Sequence, residues 1–574
     1  MSSKAGFWHV YSKIRELVRK TRLFCNCCFA RSTFSFKKIS MPQSLSVDLW
    51  RGNVRHGQAV VNGFFFIYDE KQRFFQMSWA DLIQVFKTDD YFASYTCSFA
   101  WIRDLKATGD MSARRLARRM IEFWIEGNLA KKVLIKSPKV NAVVSARRLS
   151  SWTLLFDFFG TSSHDVFKKI FFSGVQGEYK RIKSALMKKY SREDKLAIIK
   201  ALVEYNIYWA YDPSFFKLML FEILAAIPGA DGALTIAQQP ITSLFNNFCV
   251  VVELRSALRQ WEKSLARVGS VPLTLFNDVF QKIQQYLRTV TAVIRYYRHS
   301  NGSLSQIKAS TDTPIFNEYV TPEKVDIALS QIEDVFVDDF AAADVLRFAE
   351  KNSVLFIDLG MHRPRHCVLE EFGKNLANDV LNFEWSVDAN NIVNRNSFML
   401  FQRDRIPTFL RKKGSIPDGH KTIKEYWQQQ ERDSFFFKAA VPAGEFEENA
   451  CSFAREIRLF SPENLVCGAD ALTVVQQADS LWLMQFHLGY NLKLIDKKHD
   501  DNQQKGYIFY ELHQPDAVKN KKIPKKRVLF VVESKNPFFL KASTVHDHQL
   551  ITFGCSIERA LTAEVTWSFQ VLKA

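Results

Sequence analysis

The chain of 574 residues lacks any uninterrupted run of about 20 apolar residues, the length a helix needs to cross a bilayer. Its first residues also lack the continuous apolar core of a secretory signal. The nine cysteines, an odd number spread from Cys25 to Cys555, do not form the paired framework of a disulfide-rich exported protein. These absences predict residence in the cytoplasm or at the inner face of a membrane.

Motifs for nucleotide, acyl-transfer and metal chemistry are also missing. The sequence has no glycine-rich phosphate loop, dinucleotide fingerprint or nucleophile elbow. The tight cysteine cluster at positions 25–28 has no second cluster at zinc-ligand spacing. His362 and His366 are separated by Pro364, which prevents a helix from presenting both on one face. We therefore expect no metal and no cofactor.

Positive charge is abundant, with a formal net charge of +18 at pH 7. Such an excess favours a polyanionic partner: an acidic polysaccharide, a nucleic acid or an anionic membrane surface. No recognisable module interleaves the basic residues with stacking aromatics, so no nucleic acid is expected. Residues 1–45 are predicted to form a basic amphipathic leader, which either contacts an anionic membrane surface through residues 1–40 or stays solvated and loosely docked.

Helical periodicity fills the chain up to about Asn301. One long amphipathic helix is predicted from apolar residues in alternating steps of four and three, at Phe276, Phe280, Ile283, Leu287, Val290, Ile294 and Tyr297. A second helix is predicted to begin at an N-cap, Ser112, and to end at Gly127. Further helices are expected at 146–159, 166–189, 192–209, 215–226 and 241–265.

Alternating strand patterns replace the helical ones in the second half. Val565, Trp567, Phe569 and Val571 alternate with polar residues, as in a strand with one buried face. Other short runs with strand character are 354–357, 481–488, 507–512, 528–532 and 550–555. The sequence therefore predicts an α+β protein: a helical domain over 46–312 and an antiparallel β-sandwich over 313–574.

Eight short segments fall in the order found in one group of bacterial proteins. Four lie in the helical half: Phe99–Leu105, Ala146–Trp152, Pro228–Gly232 followed by Gln239 and Pro240, and Tyr297–Gly302. Four lie in the β half: Val354–Gly360, Leu381–Glu384, Phe486–Leu488 and Val565–Phe569. From about residue 45 to the end, the chain resembles the heparinase II/III family.

This resemblance implies an incomplete (α/α) toroid packed on an antiparallel β-sandwich, with a cleft for acidic polysaccharide at their junction. The implied reaction is β-elimination, in which a Tyr or His removes the C5 proton of a uronic acid whose carboxylate is neutralised by an amide or a cation. Members of the family are often linked to the cell envelope. No cofactor is implied.

The catalytic positions of the family are altered in this chain. Thr242 stands where the proton-handling Tyr is found, and residues 375–380 lack the expected His. Thr and Asn have no protonation equilibrium near neutral pH, so neither replaces a Tyr or His.

The remaining candidates lie near the implied cleft. Those for catalysis are the Gln239 amide, the Tyr296 and Tyr297 hydroxyls and the His299 base; those for substrate binding are Gln238, Arg147, Arg148 and Arg298. Core packing for Tyr297, helix capping for His299 and salt bridges for the two adjacent arginines stay open as alternatives.

Two functional hypotheses follow from this pattern. The first is a polysaccharide lyase that cleaves uronic-acid-containing acidic polysaccharide by β-elimination. The second is a catalytically inactive relative that binds acidic glycan or an envelope surface.

Overall fold

The computed structural model describes the chain in separate ranges of residues. These are 48–65, 75–76, 95–126, 138–186, 188, 190–228, 241–265, 273–305, 322–332, 345–350, 352–359, 381, 383–388, 390–402, 426–430, 434–446, 449–474, 480–489, 492–500, 504–512, 526–536, 538–545, 548–557 and 562–572.

The first half of the described chain is helical. Its helices, α1 to α11 in chain order, are Val54–Val61, Ile102–Thr108, Met111–Glu126, Pro138–Leu154, Phe156–Phe159, Asp165–Ala185, Arg192–Tyr208, Pro213–Ala226, Ile241–Leu265, Leu273–Tyr296 and Pro322–Ser330. The helix predicted over 146–159 begins earlier and is interrupted at Leu155, which separates α4 from α5. The predicted N-cap Ser112 is wrong, because the Asp110 carboxylate accepts the hydrogen bond from Ala113 N at 2.6 Å.

Helix α7 is the centre of this half. Its neighbours are α4, α6, α8 and α9, and every residue from Leu196 to Tyr208 is buried. A helix surrounded in this way has no solvent face, so its polar side chains must find partners inside the protein.

The second half is built of antiparallel strands. After the short pair β1 (Phe64–Phe65) and β2 (Phe75–Gln76), strands β3 to β17 are Val345–Glu350, Ser353–Asp358, Phe383–Val387, Asn390–Gln402, Tyr426–Gln430, Ser434–Phe446, Asn449–Phe460, Leu465–Val474, Ser480–Leu488, Leu492–Asp500, Lys505–Leu512, Arg527–Ser534, Phe538–Val545, His548–Ile557 and Thr562–Leu572. Eight strands form one sheet in the order β12-β13-β14-β17-β10-β9-β8-β7. Seven form the other in the order β15-β16-β11-β6-β5-β4-β3.

The two sheets share one hydrophobic core. Phe383 of the seven-stranded sheet stacks on Trp567 of the eight-stranded sheet, with ring centroids 4.9 Å apart. Beside this pair, the buried Arg455 guanidinium binds both oxygens of Asp470 and donates to the Leu381 carbonyl at 2.7 Å. The sheets are therefore joined by aromatic packing and by the hydrogen bond from Arg455 to Leu381, while the Asp470 carboxylate balances the buried guanidinium from within the eight-stranded sheet.

Strand β4 is the wall between the helices and the sheets. All six of its residues are buried. Val354 and Phe356 belong to the helical core, whereas Leu355 and Ile357 belong to the core between the sheets. Because successive side chains of a strand point to opposite faces, this one strand seals both cores.

Helix α11 packs against the other helices. Val325 and Ala328 of this helix belong to the helical core.

The predicted leader, residues 1–45, lies outside the described residues. Among the helices that are described, none combines the length and the apolar character needed to cross a bilayer.

Candidate functional site

The end of α10 and the turn that follows it carry four of the predicted site residues in succession, positions 296–299. His299 N donates to Ser303 O at 2.9 Å, and Gly302 N donates to His299 O at 3.0 Å. Gly302 has φ of +83°, a left-handed conformation that glycine adopts without steric cost. The turn fixes the backbone here and directs the His299 side chain towards the seven-stranded sheet.

His299 bridges the helical half and strand β5. Its Nε2 lies 2.8 Å from Glu384 Oε2, and its Nδ1 lies 3.0 Å from Ser386 Oγ. The edge-on Phe356 ring is 5.0 Å away. His299 is 5% exposed, and Glu384 and Ser386 are 0% exposed. Both ring nitrogens therefore have partners inside a closed junction.

Tyr296 and Tyr297 lie beside this contact. The Tyr296 hydroxyl donates to the Val345 carbonyl at 2.8 Å. Tyr297 is 1% exposed, and its ring stacks on Phe356 with centroids 6.2 Å apart. Both tyrosines pack the last turn of α10 against strands β3 and β4.

Arg298 lies on the outer side of the same turn. Its Nε donates to Gly302 O at 3.2 Å, and its Nη2 lies 2.7 Å from the Asp326 carboxylate of α11. The half-buried guanidinium thus ties α11 to the turn.

Glu384 and Ser386 place a carboxylate and a hydroxyl within hydrogen-bond distance of the His299 imidazole. Such an arrangement can transfer a proton and is found in hydrolytic sites. A base must also come within about 3 Å of the proton that it removes. Neither ring nitrogen of His299 faces open space, since Glu384 and Ser386 occupy both and are themselves buried. The geometry fits a structural junction better than a proton-abstracting centre, and the catalytic role of residues 296–299 stays a prediction.

The contacts of Glu384 and Ser386 with His299 were not predicted from the sequence. The signal was present: Phe383-Glu384-Trp385-Ser386-Val387 alternates apolar and polar residues, and all five are buried. Phe383 and Trp385 enter the core between the sheets. The polar pair on the opposite face meets His299.

Arg148 lies elsewhere, in the core of the helical half. It is 0% exposed, its Nη1 donates to Cys97 O at 2.6 Å, and its Nη2 lies 3.0 Å from Glu178 Oε2. The guanidinium covers the Trp124 ring at 4.3 Å. Burial raises the pKa of Glu178, but the charges of Arg148 and Arg181 outweigh it and hold this pKa below its ordinary value. The predicted alternative of a salt-bridged arginine matches this geometry.

The remaining predicted residues are Arg147, Gln238 and Gln239. Arg147 is half-buried on α4. Gln238 and Gln239 lie outside the described residues. Thr242 is in the first turn of α9, where the neighbouring Ser243 Oγ donates to Glu193 Oε1 at 2.5 Å.

A second buried ionic group surrounds Lys200 of α7. Its ammonium contacts Glu253 of α9 and lies 3.5 Å from Glu204 Oε1, and the Trp50 indole N–H donates to Glu253. Glu204 is 0% exposed. Burial raises the pKa of Glu204 to about 7 against the opposing charge of Lys200. The network pairs the Lys200 charge of the central helix and links this helix to α9 and to Trp50.

In the described part of the chain, no three His, Cys, Asp or Glu side chains converge closely enough to hold a metal ion. The cysteines at positions 25–28 and the histidines at 362 and 366 lie outside the described residues.

Comparison with known proteins gives structural similarity alone. No family model and no curated protein matches the chain. A solved heparinase III is 9% identical with a TM-score of 0.43, the alignment covering 98% of this chain and 91% of the other. The heparan sulfate lyase HepC from Pedobacter heparinus is 12% identical with a TM-score of 0.38, covering 92% and 84%. At these values neither similarity assigns the chain to a family.

Proposed function

We propose that this protein binds a uronic-acid-containing acidic polysaccharide without cleaving it. In this proposal the helices form an incomplete (α/α) toroid on a β-sandwich, as in heparinase II/III proteins. The observation that carries the absence of cleavage is the closed state of the junction, where His299 and Tyr297 are 5% and 1% exposed.

The chemistry of β-elimination supports this choice. The reaction needs a base with a titratable proton next to C5 of the uronic acid. Thr242 occupies the position that the resemblance gives to the proton-handling Tyr, and its hydroxyl does not titrate near neutral pH. Tyr296, Tyr297 and His299 are engaged in contacts between α10 and the strands.

Charge supports an acidic polysaccharide as the ligand. The net charge of +18 attracts polyanions over long range. Arginine binds carboxylates and sulfates in charge-assisted pairs. Among the predicted binding residues, Arg148 is fully buried against Glu178, so a ligand does not reach it. Arg147 keeps part of its surface accessible on α4, and we assign ligand contact to it on that ground.

The order of the eight motifs favours a second candidate, an active lyase. In that case the Gln239 amide would neutralise the uronate, with Gln238 binding beside it, and proton transfer would require Tyr296, Tyr297 or His299 to open towards the ligand. The two candidates share the ligand and differ only in turnover.

Binding is tested by titrating the full chain with heparan sulfate, hyaluronan and alginate, with neutral dextran as the control polymer. We expect binding to at least one polyanion that weakens steeply with salt. Arg147→Met should weaken it several-fold, by about 1 kcal/mol. Arg458→Met, which removes one equivalent charge from strand β9, serves as the matched control and should have little effect. Equal binding of dextran, or no binding of any polyanion, would contradict the proposal.

The predicted membrane contact of residues 1–40 is a separate proposal. It is tested by sedimenting the full chain, and the chain without residues 1–40, with vesicles containing anionic lipid. Loss of sedimentation on truncation supports the contact, and equal sedimentation of both chains contradicts it.

A further inference from the structure

A polar cavity of about 400 Å³ lies at one end of the two sheets. The seven-stranded sheet contributes the β3–β4 and β5–β6 turns to its wall. The eight-stranded sheet contributes the β9–β10 turn and the ends of β14 and β17. The polar wall consists chiefly of Glu350, Asn352, Asp388, Ser461, Asn464 and Lys526. None of these residues belongs to the His299 junction.

Two buried polar atoms of this wall have no hydrogen-bond partner in the described structure: Glu350 Oε2 and Ser461 Oγ. Ser461 is 7% exposed. An unsatisfied buried polar atom destabilises the folded protein, and polar groups of this kind call for an explanation such as a bound ligand. Both residues line the cavity, so a ligand that enters it lies beside them.

The wall is held in a strained and cross-linked form. Asp388 and Asn464 have φ of +51° and +47°, in the left-handed region. The Asp388 carboxylate accepts from Asn352 Nδ2 at 2.8 Å and from Lys526 Nζ at 2.6 Å. The second contact joins the two sheets across the cavity. The site is therefore formed before any ligand arrives, which lowers the cost of binding.

The charges of the wall define the class of ligand. Asp388 and Lys526 neutralise each other at 2.6 Å, which leaves the Glu350 carboxylate as the excess charge. An anionic ligand would face this carboxylate in a partly desolvated site, and that is unfavourable. The polar groups instead suit a neutral ligand with many hydroxyls, and Pro462 and Val571 offer a small apolar surface.

We propose that this cavity binds one or two rings of a neutral carbohydrate. Its volume lies at the lower end of the range of roughly 300–1,000 Å³ for ligand pockets. Glu350 accepts hydrogen bonds from sugar hydroxyls, Ser461 donates or accepts, and the Lys526 ammonium keeps donors beyond the one that Asp388 uses. The apolar face of the sugar packs on Pro462. This site is independent of the acidic-polysaccharide site proposed above.

The test is calorimetric titration of the full chain with glucose, N-acetylglucosamine and cellobiose, with glucuronate as the charged comparator. Neutral sugars should bind, and glucuronate should not. Loss of one neutral hydrogen bond in Ser461→Ala should weaken binding by up to about tenfold, and Glu350→Gln should weaken it further. Glu564→Gln, the same change on an exposed position of β17, is the matched control and should bind as the parent does.

Thermal unfolding separates a loss of binding from a loss of folding. Because Ser461 Oγ has no partner in the described structure, its removal should leave the melting temperature unchanged or raise it. Absence of binding by all three neutral sugars overturns the proposal. So does a preference for glucuronate, or a Ser461→Ala protein that binds like the parent.

Discussion

At the scale of single residues, surroundings decide the role of a titratable group. His299 has the side chain that a lyase base requires, yet Glu384 and Ser386 occupy both of its ring nitrogens. Arg148 likewise has the charge that a polyanion would bind, but the carboxylate that it meets is Glu178. Residue type and motif predicted these positions; their partners come from elements 30 to 90 residues away along the chain, which no local pattern specifies.

The Arg148 ion pair gives the first prediction. Arg148→Met should lower the free energy of unfolding by about 3–5 kcal/mol, because it leaves the buried Glu178 carboxylate without its main partner. Arg458→Met, at an exposed position of β9, should change it by less than about 0.5 kcal/mol. Denaturant unfolding of both variants measures the difference. Similar values for the two would contradict a structural role for Arg148.

Glu204 gives a prediction about pH. Its folded pKa of about 7 lies above its ordinary value of 4.5, so folding takes up a proton between these values. The stability from this group is complete below pH 4.5 and is lost as pH rises through 7. The side chain of Glu204→Gln stays neutral at every pH. The free energy of unfolding of this variant should therefore rise relative to that of the parent protein as the pH increases, by at most about 1.4 kcal/mol per pH unit. Denaturant unfolding between pH 5 and pH 8 measures this, and a difference independent of pH would contradict it.

At the scale of elements, the spacing of apolar residues predicted which segments are helices and which are strands. The residues at which these elements begin and end depend on packing in the folded protein. The stripe from Phe276 to Tyr297 predicted α10, and the alternation around Trp567 predicted β17; the structure confirms both. Helix α7 shows the limit of such patterns. It is buried on every side, so polar residues such as Lys200 depend on partners that only the assembled helices supply.

Two glycines in different elements give a matched prediction. A Cβ on Gly468 of β10 would lie 2.3 Å from the Trp567 ring and 2.7 Å from the Glu456 carbonyl. A Cβ on Gly177 of α6 would meet nothing within 4 Å. Gly468→Ala should therefore destabilise by about 1–3 kcal/mol through overpacking, whereas Gly177→Ala should stabilise by about 0.5–1 kcal/mol. Melting temperatures that move in the same direction would contradict the packing described for β10.

At the scale of the whole molecule, the described helices and sheets meet at the junction around His299. Strand β4 is buried on both faces, and the His299 contact lies beside it. The change from helical to strand periods predicted that two such units exist. It could not predict how they meet, because the contacts between Tyr296 and Val345, and between His299 and Glu384, are tertiary.

The junction predicts energetic coupling between the two halves. A double-mutant cycle with His299→Leu and Glu384→Leu should give a coupling energy of about 1–3 kcal/mol, because each change leaves the other buried group unpaired. The exposed pair Lys438 and Glu456 provides the control cycle, with an expected value of about 0–1 kcal/mol. Equal coupling in the two cycles would show that the His299 contact does not hold the halves together.

The central claim is that the protein binds acidic polysaccharide without eliminating it. Its most direct test is the ultraviolet absorbance of the unsaturated uronate product, recorded while a high concentration of purified full chain is incubated with heparan sulfate, hyaluronan or alginate. We predict no rise in absorbance with a polymer that the protein demonstrably binds. A steady rise that disappears in His299→Ala or Tyr297→Phe, in proteins shown to be folded, would contradict the claim and establish an active lyase.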